Sequence, residues 1–102
     1  MIHVVAVITA NPGMRQGILE KFNANTPAVH AEDGCIEYGA VVDAENIGSF
    51  QTKFGEDTFL VIEKWESLEH LMAHAASDHM KEYAVATKPL IAERKIHVLS
   101  AT

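Results

Sequence analysis

The run Asp57–Glu66, DTFLVIEKWE, passes directly into Ser67–Tyr83, SLEHLMAHAASDHMKEY, and this junction decides the fold. Side chains alternate across a strand, so Phe59, Val61, Glu63 and Trp65 share one face of 57–66 while Leu60, Ile62 and Lys64 share the other. Both faces carry apolar residues, so both are expected to be covered. Ser67 is placed to cap a helix, and Glu69 falls in its first turn, where the helix dipole favours a negative charge. Leu68, Leu71, Met72 and Ala75 supply the apolar face of that helix. Ser77-Asp78 breaks the pattern before a second helical segment, His79 to about Thr87, which Pro89 closes.

Outward from this junction, the chain repeats one order of elements. Ile2–Thr9 (IHVVAVIT) is β-branched and apolar throughout, the mark of a strand buried on both faces. After the turn at Asn11-Pro12-Gly13, Ile18, Phe22, Asn25 and Val29 recur at helical spacing within a helix expected from Met14 to about Glu32. Pro27 lacks the N–H that would bond to Asn23, so a kink is expected there, and Gly34 is placed to end the helix in a left-handed conformation. Cys35–Asp43 (CIEYGAVVD) reads as the second strand, with Ile36, Tyr38 and either Val41 or Val42 as its buried positions, and Gly39 suggests a bulge or a close approach by another group. Residues 44–56 form a long loop carrying Phe50 and Phe54, and Leu90–Ser100 is the last strand, with Ile96, Val98 and Ser100 on one face. Strand-helix-strand occurs twice. This is the ferredoxin-like split βαβ, an α+β fold in which a four-stranded antiparallel sheet carries its helices on one face.

Length and charge bound what such a chain does. A chain of 102 residues, 48% apolar and 22% charged, is expected to form a single domain, 1–102, with one modest core. Fourteen acidic side chains against eight basic ones give a net charge of −6, which repels a polyanion, and no Lys/Arg cluster offers a nucleic acid a foothold. Val4–Ile8 is too short an apolar run to span a bilayer, and the expected location is cytoplasmic. Cys35 is the sole cysteine and reads as a small buried thiol. A core this small leaves one sheet face short of cover, and a second copy of the chain is the simplest way to supply it.

The chemistry concentrates in 63–83, which holds the only tryptophan and three of the six histidines. Histidine titrates near neutrality and so moves protons without large tuning. His74 and His79 flank the break between the helical segments and are the candidate acid-base pair, with Trp65, Glu63 and Tyr83 as neighbours. His70 and His74 stand one turn apart and, with Asp78, also have the spacing of a metal pair, although Leu71 occupies the place of the glutamate that a zincin motif requires. No G-x-G-x-x-G, P-loop or G-x-S-x-G motif is present, so nothing in the chain advertises a bound dinucleotide or a serine nucleophile.

The run EKWESLEHLMAHAASDHMKEY, together with VVAVITANPG, DGCIEY and VVDAENIGSFQ, resembles the antibiotic biosynthesis monooxygenase family, and within it the bacterial quinol monooxygenases. The resemblance implies a homodimeric α+β barrel in which two sheets pack face to face. It also implies oxidation of a phenol or hydroquinone by O2 with no metal, flavin or other cofactor. Carried onto this chain, Trp65, His74 and His79 fall on pocket positions, with Glu63, Tyr83, Tyr38 and the loop aromatics Phe50 and Phe54 around them. His74 would take the hydroxyl proton, His79 would orient it, and the aromatics would stack on the ring. Haem-degrading relatives have an asparagine on the first strand where this chain has Ala6, which argues against that activity. An isomerase or lyase of a small oxygenated metabolite, and a quinone-binding protein without turnover, remain as alternatives.

Overall fold

A computed structural model describes residues 1–102, and its elements follow one another as strand β1 (Ile2–Ala10), helix α1 (Arg15–His30), β2 (Cys35–Val41), β3 (Thr58–Trp65), α2 (Leu68–Ala75), α3 (Asp78–Thr87), a 3-10 turn (Lys88–Leu90) and β4 (Ile91–Ser100). The strands lie in the order β2-β3-β1-β4, antiparallel at every junction. That is the ferredoxin-like α+β arrangement expected from the sequence, with the second helical region divided in two.

Period-two burial builds the core. Val4, Ala6, Ile8 and Ala10 of β1 and Phe59, Val61, Glu63 and Trp65 of β3 all point beneath the helices and are buried. Ile18, Phe22 and Val29 of α1 close over them. Phe22 is the hinge of this packing: its ring stacks on Tyr38 at 5.0 Å and meets Phe59 edge-on at 6.3 Å. The opposite sheet face carries Val5, Val7, Leu60 and Ile62, all half-buried, and no element of the chain lies over it.

Two local expectations change. The bulge in β2 sits at Ile36 and not at Gly39: Cys35 pairs with Trp65, Glu37 with Lys64 and Tyr38 with Glu63. The extra residue turns Ile36 outward, 48% exposed, and brings Cys35 and Tyr38 onto the same face despite their odd spacing. Helix α1 runs through Pro27 to His30, as expected, and its last turn closes with the Ala31 N–H bonded to the Pro27 carbonyl. Gly34 has the left-handed φ of +81°, but three residues beyond the helix cap. Its role is steric, since a Cβ there would lie 2.8 Å from His70 Cβ and closer still to the imidazole ring.

Helix α2 is rotated relative to its apolar pattern. Ser67 caps it as expected, accepting the His70 N–H, but Leu68 and Met72 are exposed and His74 is the only buried residue of the helix. The inward face is built around the imidazoles of His70 and His74 because each finds a polar partner from the α1–β2 turn: Asp33 for His70 and Glu32 for His74. The long loop leaves Phe50 84% and Phe54 55% exposed. What holds that loop is Asp43, whose carboxylate accepts the N–H groups of Phe54 and Gly55 at 3.0 and 2.9 Å. Those bonds keep the Asp43 carboxyl below its ordinary pKa.

Candidate active site

A cavity of about 700 Å³ lies between the sheet and helices α2 and α3. Its floor is the inner face of the sheet at Val4, Ala6, Ile8 and Val61; Phe22, Leu71 and Met80 wall it; and Tyr38, Glu63, His74 and Tyr83 bring polar groups to it. The volume lies within the range of small-molecule sites, and an apolar enclosure with few convergent polar groups is their usual make-up.

His74 is the centre of this polar group. Its Nδ1 lies 2.7 Å from Glu32 Oε2, and its Nε2 lies 3.9 Å from Glu63 Oε1. An ionised carboxylate only accepts hydrogen bonds, so Nδ1 is the donor in the Glu32 contact, and in the neutral imidazole Nε2 is then the nitrogen with the lone pair. The ring is fixed from below by Trp65, 4.6 Å away, and from the side by Tyr38, which it meets at 5.4 Å. His79 completes the arrangement behind it, with Nε2 3.0 Å from the same Glu32 oxygen. Ser77 Oγ donates to the His74 carbonyl at 2.7 Å and ties the break between α2 and α3 to the site.

Glu63 is the other ionisable group beside His74. It is buried, and its Oε1 accepts the Trp65 indole N–H at 3.0 Å. Burial raises its carboxyl above the usual range, against the opposing effects of the Trp65 bond, His74 and Arg94. Glu63 therefore holds a proton more readily than an exposed carboxyl. Burial also pushes the Tyr83 phenol up to about 12, with Arg94 pulling the other way, and raises Tyr38 further. Both phenols stay protonated at neutral pH, able to donate a hydrogen bond but not to act as bases. The thiol of Cys35 is likewise pushed up, first by burial and then by Glu32 and Glu63, which suits an inert packing group.

The residues singled out from the sequence divide accordingly. Glu63, His74, Tyr38 and Tyr83 line the cavity. Trp65 does not: it is fully buried behind His74, where its indole supports the imidazole and anchors Glu63 instead of offering a stacking face to a guest. His79 also lies off the cavity, because Glu32 holds it on the far side of His74. Phe50 and Phe54 are carried away from the cavity by the Asp43-tethered loop. His70 does not join His74 around a common point, since its Nδ1 is 2.7 Å from Ser67 Oγ and its Nε2 3.6 Å from Asp33. The donors that do converge are Glu32, His74 and His79, within 4.8 Å of one another, a set suited in type to a first-row cation; as they stand, both imidazoles share the Glu32 oxygen.

Glu32 is the residue that sequence reasoning missed. It stands 42 positions from His74 and on no periodic face, just past the end of α1. The only local signal was an acidic pair, Glu32-Asp33, immediately before a glycine that forces the chain to turn towards the next element.

The fold has counterparts among known proteins. The family model described as antibiotic biosynthesis monooxygenase matches residues 1–86. The chain belongs to that family. It is 40% identical over 101 residues to the "Probable quinol monooxygenase YgiN" of Escherichia coli K12, covering 97% of this chain and 96% of that one. Two solved structures share the fold: PA3566 from Pseudomonas aeruginosa, with a TM-score of 0.80 at 24% identity over 99% of this chain and 93% of that one, and Rv0793 from Mycobacterium tuberculosis, with a TM-score of 0.81 at 22% identity over 99% and 94%. Membership of the antibiotic biosynthesis monooxygenase family accounts for the sheet and helices; what the pocket does depends on the groups described above. No helix of the chain is long and apolar enough to cross a membrane.

Proposed function

We propose that this family member is a quinol monooxygenase, using O2 on a hydroquinone or related phenol with no cofactor of its own. The observation that carries the reading is the placement of His74: Nδ1 held 2.7 Å from Glu32 Oε2, and the ring at the wall of an apolar cavity. The E. coli relative named as a quinol monooxygenase supports it.

In the proposed reaction the ring lies on the Val4, Ala6 and Val61 floor with one hydroxyl towards His74 Nε2. His74 takes that proton, and the Glu32 carboxylate stabilises the imidazolium that results. The electron-rich anion passes an electron to O2, and the radical pair recombines with a new C–O bond. The O–O bond then breaks, one oxygen leaving as water and the other remaining on a ring that ends as a hydroxyquinone. The ring C–H at the oxygenated carbon gives up its proton in this step, and all four electrons taken up by O2 come from the substrate, so the reaction balances without an external reductant. Glu63, inclined to hold a proton, is placed to donate to the departing oxygen, and the apolar walls keep water from intercepting the radical pair. The half-buried outer sheet face, with Val5, Val7, Leu60 and Ile62, is the proposed seat of a second copy.

An oxygen electrode tests the reading. Purified protein with a simple hydroquinone, a chelator and no added flavin is expected to consume O2 catalytically, well above the autoxidation blank. Uptake equal to the blank across a panel of hydroquinones would remove the monooxygenase reading.

A further inference from the structure

The cavity reverses the sign of the chain around it. The protein has 14 acidic and 8 basic side chains, yet Lys81, Lys88 and Arg94 line the cavity against a single acid, Glu63. That acid is the one whose carboxyl burial holds towards its neutral form. None of the three cations makes a side-chain hydrogen bond or an ion pair; the only Lys or Arg ion pair in the chain is that of Lys95 with Glu93, outside the cavity. Three unspent positive charges around an apolar pocket attract a negative ligand group and focus its approach.

Their position gives the charge a direction. Arg94 sits on β4 opposite Ile8, whereas Glu63 sits on β3 opposite Val4. Four residues along β1 separate these points, about 13 Å of strand. Lys88 lies in the 3-10 turn that leads into β4 and Lys81 in α3, so the cations approach from three elements. Lys88 and Arg94 are thus rooted towards the Ile8–Ala10 end of β1 and Glu63 towards its Val4 end, while Lys81 stands one helical turn after Ser77, beside the break between α2 and α3.

We infer that the substrate carries an anionic group, a carboxylate or a phosphate, on an arm that extends from the ring away from the reacting hydroxyl. This rests on the quinol reading above and adds the substrate's charge to it. The ring fills the apolar floor, its hydroxyl meets His74, and the anion reaches the Lys88 and Arg94 side chains. Arg94 offers a planar fork suited to either anion, and the two lysines add point charge.

The test uses matched hydroquinones: 3-(2,5-dihydroxyphenyl)propionate, its neutral methyl ester, and 2-(2,5-dihydroxyphenyl)ethyl phosphate. At low ionic strength kcat/KM for at least one anion is expected to exceed that of the ester by tenfold or more, and whichever anion leads identifies the group. The advantage should shrink in 0.5 M salt, where screening is strong, and in the Lys88→Gln/Arg94→Gln double variant, both sites being exposed enough to leave folding intact. An ester processed as well as both anions would overturn the inference while leaving the monooxygenase reading in place. If no compound drives O2 uptake, binding of redox-inert 3-(4-hydroxyphenyl)propionate against its methyl ester decides separately: tighter binding of the acid upholds the anionic preference and sinks the oxidative reading, and equal binding sinks the preference as well.

Discussion

Replacing His74 by alanine is expected to lower hydroquinone turnover by about 10²–10⁴-fold, the range over which a positioned base contributes. The loss should appear mainly in kcat, because the apolar floor that holds the ring is untouched. His74 is 4% exposed, so its removal leaves a void the size of an imidazole between Trp65 and Tyr38, with Glu32 still at its inner end. Added imidazole should enter that void and restore part of the activity. A merely structural histidine would not be rescued in this way. Unchanged kcat in the His74→Ala protein would remove the residue from the chemistry.

The second large effect concerns stability and falls on Gly34. An alanine there must hold φ at +81°, a conformation that costs an L-residue about 1–2 kcal/mol. Its methyl would also enter the space of the His70 ring, and the ring cannot step aside without giving up the contact of its Nδ1 with Ser67 Oγ, worth about 1 kcal/mol. The Gly34 carbonyl meanwhile accepts the Glu66 N–H at 2.9 Å, so the same turn fixes the end of β3 and the start of α2. Gly34→Ala should therefore cost about 2–4 kcal/mol of unfolding free energy. Gly39→Ala is the control, since no atom lies within 4 Å of the Cβ it would add. Denaturant titrations in which the two variants lose equal stability would contradict the close packing of Gly34 on His70.

That turn also explains why some of the site was legible in the sequence and some was not. Alternation in 57–66 put Glu63 and Trp65 on the core face, and the helix cap at Ser67 set where α2 begins; both follow from local periodicity. The rotation of α2 did not follow: of the expected apolar face Leu68, Leu71, Met72 and Ala75, only Leu71 and Ala75 reach the cavity, and Leu68 and Met72 are exposed. The structure instead spends the rest of the inward face on His70 and His74, whose carboxylate partners come from a turn far away in sequence. Trp65 shows the same limit. Its burial was legible, but whether an indole faces a cavity or backs the residue that does so depends on the elements stacked over it. Phe50 and Phe54 sat in a stretch without periodicity, where only the Asp43 tether determines which way the loop turns. Lys88 and Arg94 became part of the cavity only once β4 was placed beside β1 at the edge of the sheet.

The central claim is that the Glu32-held imidazole of His74 receives the proton of a ring hydroxyl inside this cavity. The most direct measurement is a crystal structure of the protein with a redox-inert phenol, such as 4-methylphenol, soaked to saturation. The account predicts the ring over Val4, Ala6 and Val61 with its oxygen about 2.6–3.2 Å from His74 Nε2, the reach of a general base. A phenol bound with its oxygen turned away from His74, or an imidazole carrying its proton on Nε2 with Glu32 unbonded, would contradict it.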